Sequence, residues 1–402
     1  MHDAFGLPLT CASPAAAQAY ARAVDAQLHA WPGVGPALDD ALRAAPDFAL
    51  AHALRALHAA TYLRRNEVGP AIELARRHVL RASEREQSHV AVIALLVSGQ
   101  SAAALDAALA HAERWPTDAL VAATLLGAFG LIAFSGRADH DAARITLVRQ
   151  LRPHYPANHT WLLTNLGWAC IEAGHVEEGV EHAQRSFALR PANGNIAHVL
   201  MHGHFERQDA AAGLAFIDAW LAGYPEHAML FGHLHWHAAL CEIELGRTDA
   251  ALVRFTQQVL RQLDVAPPLV GMTDATSLLW RLRLLVREGL PWPSVAAHAE
   301  RYFAGGGNVF AEIHLAMLAA GRADRAALDT VAARLRALGV KGHAGAPVAL
   351  RWNEAVIALL AGDRLAASGE LRACQADAVR LGGSHAQRTV VDVTAQSLEL
   401  AA

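Results

Sequence analysis

The sequence predicts an all-α chain, a tetratricopeptide-like α-solenoid of stacked helical hairpins, and three observations carry that prediction. Ala and Leu dominate a composition that is 53% hydrophobic and 18% charged, and alternating runs of Val, Ile, Thr and Tyr are missing; such usage favours helix over strand. Helix breakers divide the chain into amphipathic stretches of roughly 12–16 residues, a length suited to the arms of helical hairpins. The breakers also recur with a period. Gly174 and Gln208, at two predicted turns, stand 34 residues apart, and the step from turn residue to the next proline is 17 for Gly174–Pro191, Gln208–Pro225 and Gly99–Pro116. A 34-residue helix–turn–helix with a terminal proline is the tetratricopeptide pattern: one hairpin cannot bury its apolar stripe alone, so neighbours stack.

Taken in order, Ser13-Pro14 reads as an N-cap followed by a first-turn proline, opening a set of N-terminal helices over 13–115. Central repeats are expected over 116–262. The longest apolar run, Ala119 to Phe134, has 16 residues and includes Gly127 and Gly130, which is short for a membrane span and is expected as a buried helix. Asp139-His140-Asp141 reads as a solvated turn. The clearest repeat is TWLLTNLGWACIEAGHVEEGVEHAQRSFALRPAN, residues 160–193, with Gly167 in the first helix, Gly174 at the turn and Pro191 past the second helix. Gly246 follows Gln208 by 38 residues, one extra helical turn.

The C-terminal repeats and cap are expected over 273–398. Asp274 can cap the helix ATSLLWRLRLLVRE, and Gly321 and Gly362 mark later turns. Gly305-Gly306-Gly307 reads as an inter-repeat loop, with an anion cradle as its rarer use. Gly382-Gly383 ends one helix, and Ser384 with Gln387 forms a capping box for the next. One continuous array over 1–402 replaces the two or three domains that length alone suggests.

Charge and chemistry narrow the function. The formal net charge is −4, so no basic surface for nucleic acid is expected. Lys341, in a glycine-rich loop, is the only lysine, which disfavours Schiff-base and P-loop chemistry. The four cysteines, Cys11, Cys170, Cys241 and Cys374, form no close pair and suit a reducing compartment. MHDAFGLPLTCASP has neither a basic segment nor an apolar run of the secretory kind. A soluble, cytoplasmic protein without membrane partners is the expectation; its oligomeric state is left open. No GxSxG elbow occurs, so that type of serine hydrolase is unsupported.

Four motifs occur in order: FGLPLTCASPAAAQAYARAVDAQL, HLHWHAALCEIELG, DATSLLWRLRL and GGSHAQR. Together they resemble the tetratricopeptide repeat protein 38 family over about residues 4–395. The resemblance implies a tetratricopeptide-like helical superhelix and leaves the activity unassigned. The family's motif residues fall on His198, His233, His237, Asp274, Trp280, Arg281, His314, His385 and Arg388. Where the family carries paired tryptophans between its two histidines, this chain has Leu234-His235-Trp236.

Six of the 23 histidines lie in NIAHVLMHGHFERQ (195–208) and GHLHWHAALCEIELG (232–246). His198 and His202 share a helix face, as do His233 and His237, because residues four apart are neighbours. His204 and His235 point elsewhere. In the repeat frame Trp161, Trp168, His198 and His202 occupy first-helix positions that line a concave face, with Trp236 nearby. Three readings stand. The imidazoles form a satisfied structural cluster; or His198, His202, His233 and His237 hold a divalent metal, though neither HEXXH nor a nearby cysteine is present; or His198, His233, His237, His314, His385, Arg281 and Arg388 line a pocket for a polar or anionic ligand, with Asp274 orienting an imidazole or acting as base. The structural alternatives are a salt bridge from Arg281 to Asp274 or Glu242, core packing for Trp280, and a sealing C-terminal helix for His385 and Arg388. The expected function is therefore binding of a peptide or small molecule in the concavity, or an enzyme with a histidine-centred site enclosed by it. No cofactor beyond that metal is implied.

Overall fold

In a computed structural model, residues 1–3, 5–286 and 289–400 are described. The fold is all-α, with hairpin following hairpin in the manner of an α-solenoid. Among the described residues the sole β pairing is an isolated bridge between His2 and Pro8, and no helix there is long and apolar enough to cross a membrane.

The chain forms two compact units. The first comprises Met1–Ile132, Ala143–Leu200 and Tyr224–Leu230; the second comprises Ala133–Ala142, Met201–Gly223 and Phe231–Ala402. In the first, Pro14–Leu28 pairs with Val34–Ala44, Ala49–Thr61 with Arg65–His78, Glu84–Val97 with Ser101–Arg114, and Thr160–Glu172 with Val176–Leu189. In the second, Ala210–Leu221 pairs with Phe231–Glu244, Val309–Gly321 with Arg325–Val340, and Ala346–Ala361 with Arg364–Gln375. Pro268–Leu285 packs against Phe231–Glu244, Val309–Gly321 and the last helix, Val390–Leu400.

Local chemistry explains these boundaries. Ser13 caps Pro14–Leu28, its side chain accepting from the Ala16 amide. Gly174 turns the chain at φ 85° and Gln208 at φ 55°, the left-handed conformation that ends a helix. Pro191 and Pro225 follow their helices as the repeat frame requires. Gly382 stops a 3₁₀ turn, and Ser384 and Gln387 make a reciprocal capping box. Packing explains Gly167 and Gly179. A Cβ on Gly179 would stand 2.7 Å from the Gly167 carbonyl oxygen and 2.6 Å from Ile171 Cγ1, so the hairpin closes through two bare backbones. Lys341 is exposed just past Arg325–Val340.

Four local expectations are corrected, while Gly305-Gly306-Gly307 is the expected loop between helices Trp292–Phe303 and Val309–Gly321. The helix that begins at Ala119 ends at Leu126, because the chain leaves helical geometry at Gly127. Asp274 is no cap: the helix already starts at Pro268 and Asp274 lies buried within it. Gly321 is the last residue of its helix, pressed under the Trp292 ring, while Ala323 takes the left-handed turn. The Asp139-His140-Asp141 stretch is exposed at Asp139 and partly at Asp141, whereas His140 is fully buried, with Nε2 2.9 Å from the Val379 carbonyl. The glycine loop is filled from within, since the Gly307 amide donates to Glu312 (3.0 Å), which also accepts from Arg334.

Candidate functional site: a buried histidine–aspartate centre

Helices Phe231–Glu244 and Pro268–Leu285 of the second unit build the centre. His233, Trp236 and His237 fall on one helical face, three and four residues apart, and all are buried. His233 Nδ1 lies 2.8 Å from Asp274 Oδ2, and an ionised carboxylate there can only accept. Burial raises the Asp274 pKa, with His233 opposing the rise. His233 stacks nearly parallel on Trp236 (5.5 Å, 9°) and meets His237 edge-on at 4.9 Å. His202, fully buried, meets His237 edge-on at 4.7 Å. The Trp236 indole N–H donates to Ser277 Oγ at 3.0 Å.

Arg281 closes this side of the centre, its guanidinium 5.7 Å from the Trp236 ring. The expected salt bridge to Asp274 or Glu242 is absent, because His233 occupies Asp274 and Arg254 binds Glu242 at 2.7 Å. Arg281 instead donates to the carbonyls of Ser277 and Ala386 and to Thr389 Oγ1. It is buried, and no carboxylate among the described residues pairs with it. Burial alone lowers its pKa to about 10. His314 is held by the Phe310 carbonyl at 2.7 Å while its Nε2 finds no hydrogen-bond partner. Burial, reinforced by the charge of Arg281, pushes His314 down to about 3.

The remaining expected residues are placed as follows. Trp280 is buried and donates to Thr394 Oγ1 at 2.8 Å. Arg388 is buried, donates to the Gly383 carbonyl and reaches Asp141 at 3.5 Å. His385 corrects the expectation that it adds positive charge to a cavity: it is exposed, and Glu206 stands 2.7 Å from its Nδ1. His235 turns toward Phe231 and Arg254, and His204 toward Phe216.

In the first unit His198 is half-buried and stacks on Trp168 (5.5 Å, 28°), with the Arg144 guanidinium 5.4 Å from the same ring. Trp161 is buried against Tyr155. Of the four proposed metal-binding imidazoles, the second unit brings His202, His237 and His233 into successive ring contacts.

One cluster of the first unit was not anticipated. Arg85, His89, His111 and Asp118 are all buried. Asp118 Oδ2 stands 2.7 Å from Arg85 Nη1, 3.0 Å from His89 Nδ1 and 3.2 Å from His111 Nε2. The only local sequence signal was Arg85 and His89 four apart on one helix. The four cysteines are free thiols, and burial raises Cys170, Cys241 and Cys374 to about 12. No protein-family model matches the chain.

Proposed function

We propose that the chain is a cytoplasmic, tetratricopeptide-like protein related to the tetratricopeptide repeat protein 38 family. In this reading the second unit binds a small anionic ligand, a carboxylate or phosphate, and His233 moves a proton on it. The observation that carries the reading is the conjunction of an Asp274–His233 pair with a buried Arg281 that has no counter-ion, both set against Trp236 and Ser277. A buried guanidinium with unused donors is a receptor for planar anions. Asp274 holds the His233 ring through Nδ1 and steadies its charge when protonated, as a carboxylate does for an acid–base imidazole. The shielding by Trp236 strengthens charge interactions at the ligand. This enclosed reading is preferred to an open peptide groove because the tryptophans expected to line one are buried in packing contacts.

The test is calorimetric titration of the full chain with inorganic phosphate and a set of small mono- and dicarboxylates. Saturable binding that weakens about tenfold or more in Arg281→Met, consistent with a charged hydrogen bond, supports the assignment, provided the variant's circular dichroism is unchanged. Absence of saturable binding to every anion tried sinks it.

A further inference from the structure

We propose that His89, His111 and Asp118 form a divalent transition-metal site in the first unit, with zinc the best match. Nothing in the second-unit reading bears on it. One donor atom from each residue lies within 4.8 Å of the others, and all three residues are buried. Two imidazoles and one carboxylate are a donor set that zinc and its neighbours favour.

The distances fit an ion. Donors held about 2.0–2.1 Å from a tetrahedral zinc lie roughly 3.3 Å apart. Asp118 Oδ2 stands 3.0 Å from His89 Nδ1 and 3.2 Å from His111 Nε2. The two imidazole nitrogens lie within 4.8 Å of each other, so a cation entering the trio would meet all three donors from one position. His111 supplies the independent sign. Its Nδ1 lies 2.9 Å from Ser88 Oγ, while its buried Nε2 makes no hydrogen bond although Oδ2 faces it. In the tautomer in which Ser88 accepts from Nδ1–H, the Nε2 lone pair faces the Asp118 carboxylate, the arrangement that a cation between them would join.

The surroundings have the outer-shell pattern that orients metal ligands. Ser88 holds the His111 ring, and Arg85 holds Asp118 while donating to the Pro8 carbonyl. Asp3 lies near enough to feel the charges of both Arg85 and Asp118. A small cavity bordered by Asp3, Tyr20, Arg85 and Asp118 lies on the Arg85 side of the carboxylate. The site joins helix Glu84–Val97, helix Ser101–Arg114 and the residue preceding Ala119–Leu126. Burial on this scale marks a structural ion.

The test uses full-length protein stripped with a chelator and titrated near neutral pH with Zn²⁺ alone, then with Co²⁺ as a spectroscopic stand-in. Expected are a single tight equivalent of zinc, a raised thermal midpoint and the visible bands of tetrahedral cobalt. Trp115, whose ring lies 4.9 Å from that of His111, should be quenched by cobalt. His111→Gln should lose the equivalent. Ser88→Ala should weaken it about 10–100-fold, and His175→Gln, on an exposed residue, should leave it unchanged. If wild type takes up no zinc, or if Ser88→Ala and His111→Gln bind it as tightly as wild type, the proposal is overturned and hydrogen bonds alone close the cluster. Should His111→Gln fail to fold, the wild-type titration and Ser88→Ala decide.

Discussion

Asp274 and His314 show how burial sets the behaviour of single residues in the second unit. Asp274 exchanges the polar surroundings of water for one imidazole, so breaking the pair is costly in the core. Asp274→Ala should cost about 3–5 kcal/mol, read as the shift in a urea unfolding curve; a change within error would mean the pair contributes nothing to stability. His314 is kept neutral, its pKa falling from 6.5 to about 3 because protonation would place charge in the core beside Arg281. Above 6.5 the folded and unfolded forms bind the same number of protons at this residue. Between 6.5 and about 3 only the unfolded chain takes one up, so stability falls as pH falls. His235 and His58, each lowered to about 4 chiefly by burial, act in the same direction. Unfolding free energy measured across this window should decline for the wild type and decline less steeply for His314→Leu. Equal slopes would contradict the burial account.

Among the elements, the hairpin of Thr160–Glu172 and Val176–Leu189 is held at close range by its glycines. Gly179→Ala places a methyl against the Gly167 carbonyl and the Ile171 backbone. Neither is the flexible end of a side chain, so the helices must part. A loss of about 1–3 kcal/mol is expected from overpacking, visible as a lowered thermal midpoint. Gly174→Ala meets no atom within 4 Å but must hold φ near 85°; its smaller loss, about 1 kcal/mol, is the comparison. If the two substitutions cost the same, the close approach is not what restrains the hairpin.

These elements also show what was legible in the sequence. Turn glycines and the Ser384–Gln387 box act through bonds within a few residues, so spacing alone revealed them. The histidine face at 233 and 237 was readable for the same reason, helical periodicity. Asp274 reads both as a cap and as an imidazole's partner, because an aspartate before an apolar stretch looks the same whether it caps a helix or meets an imidazole 41 positions away. Gly321 was misread because the turn could be taken by Ala323, leaving the glycine to accommodate the Trp292 ring. The cluster around Asp118 was invisible because His89 and His111 approach it from other helices, and no local spacing records that meeting.

In the whole molecule, chain order and compactness do not coincide. Residues 143–200 belong with the first 132, while 133–142 and 201–223 belong with the C-terminal part. Neither unit is a continuous stretch, so cutting the chain at one point should not release an autonomous domain. A fragment of residues 1–132 lacks the hairpin of 160–189 and should melt without a cooperative transition in circular dichroism. A sharp transition at the full-length midpoint would show that the N-terminal hairpins suffice by themselves.

Lys341, exposed past the end of helix Arg325–Val340, makes the chain unusual as a reagent. An amine-directed ester meets only one lysine side chain in 402 residues, whereas most proteins of this size would be decorated at many points. With the α-amine acetylated beforehand, tethering through Lys341 would present every molecule to a sensor surface in the same orientation. Binding signals for small anions or metal ions would then come from a uniform layer, free of the scatter that random attachment brings.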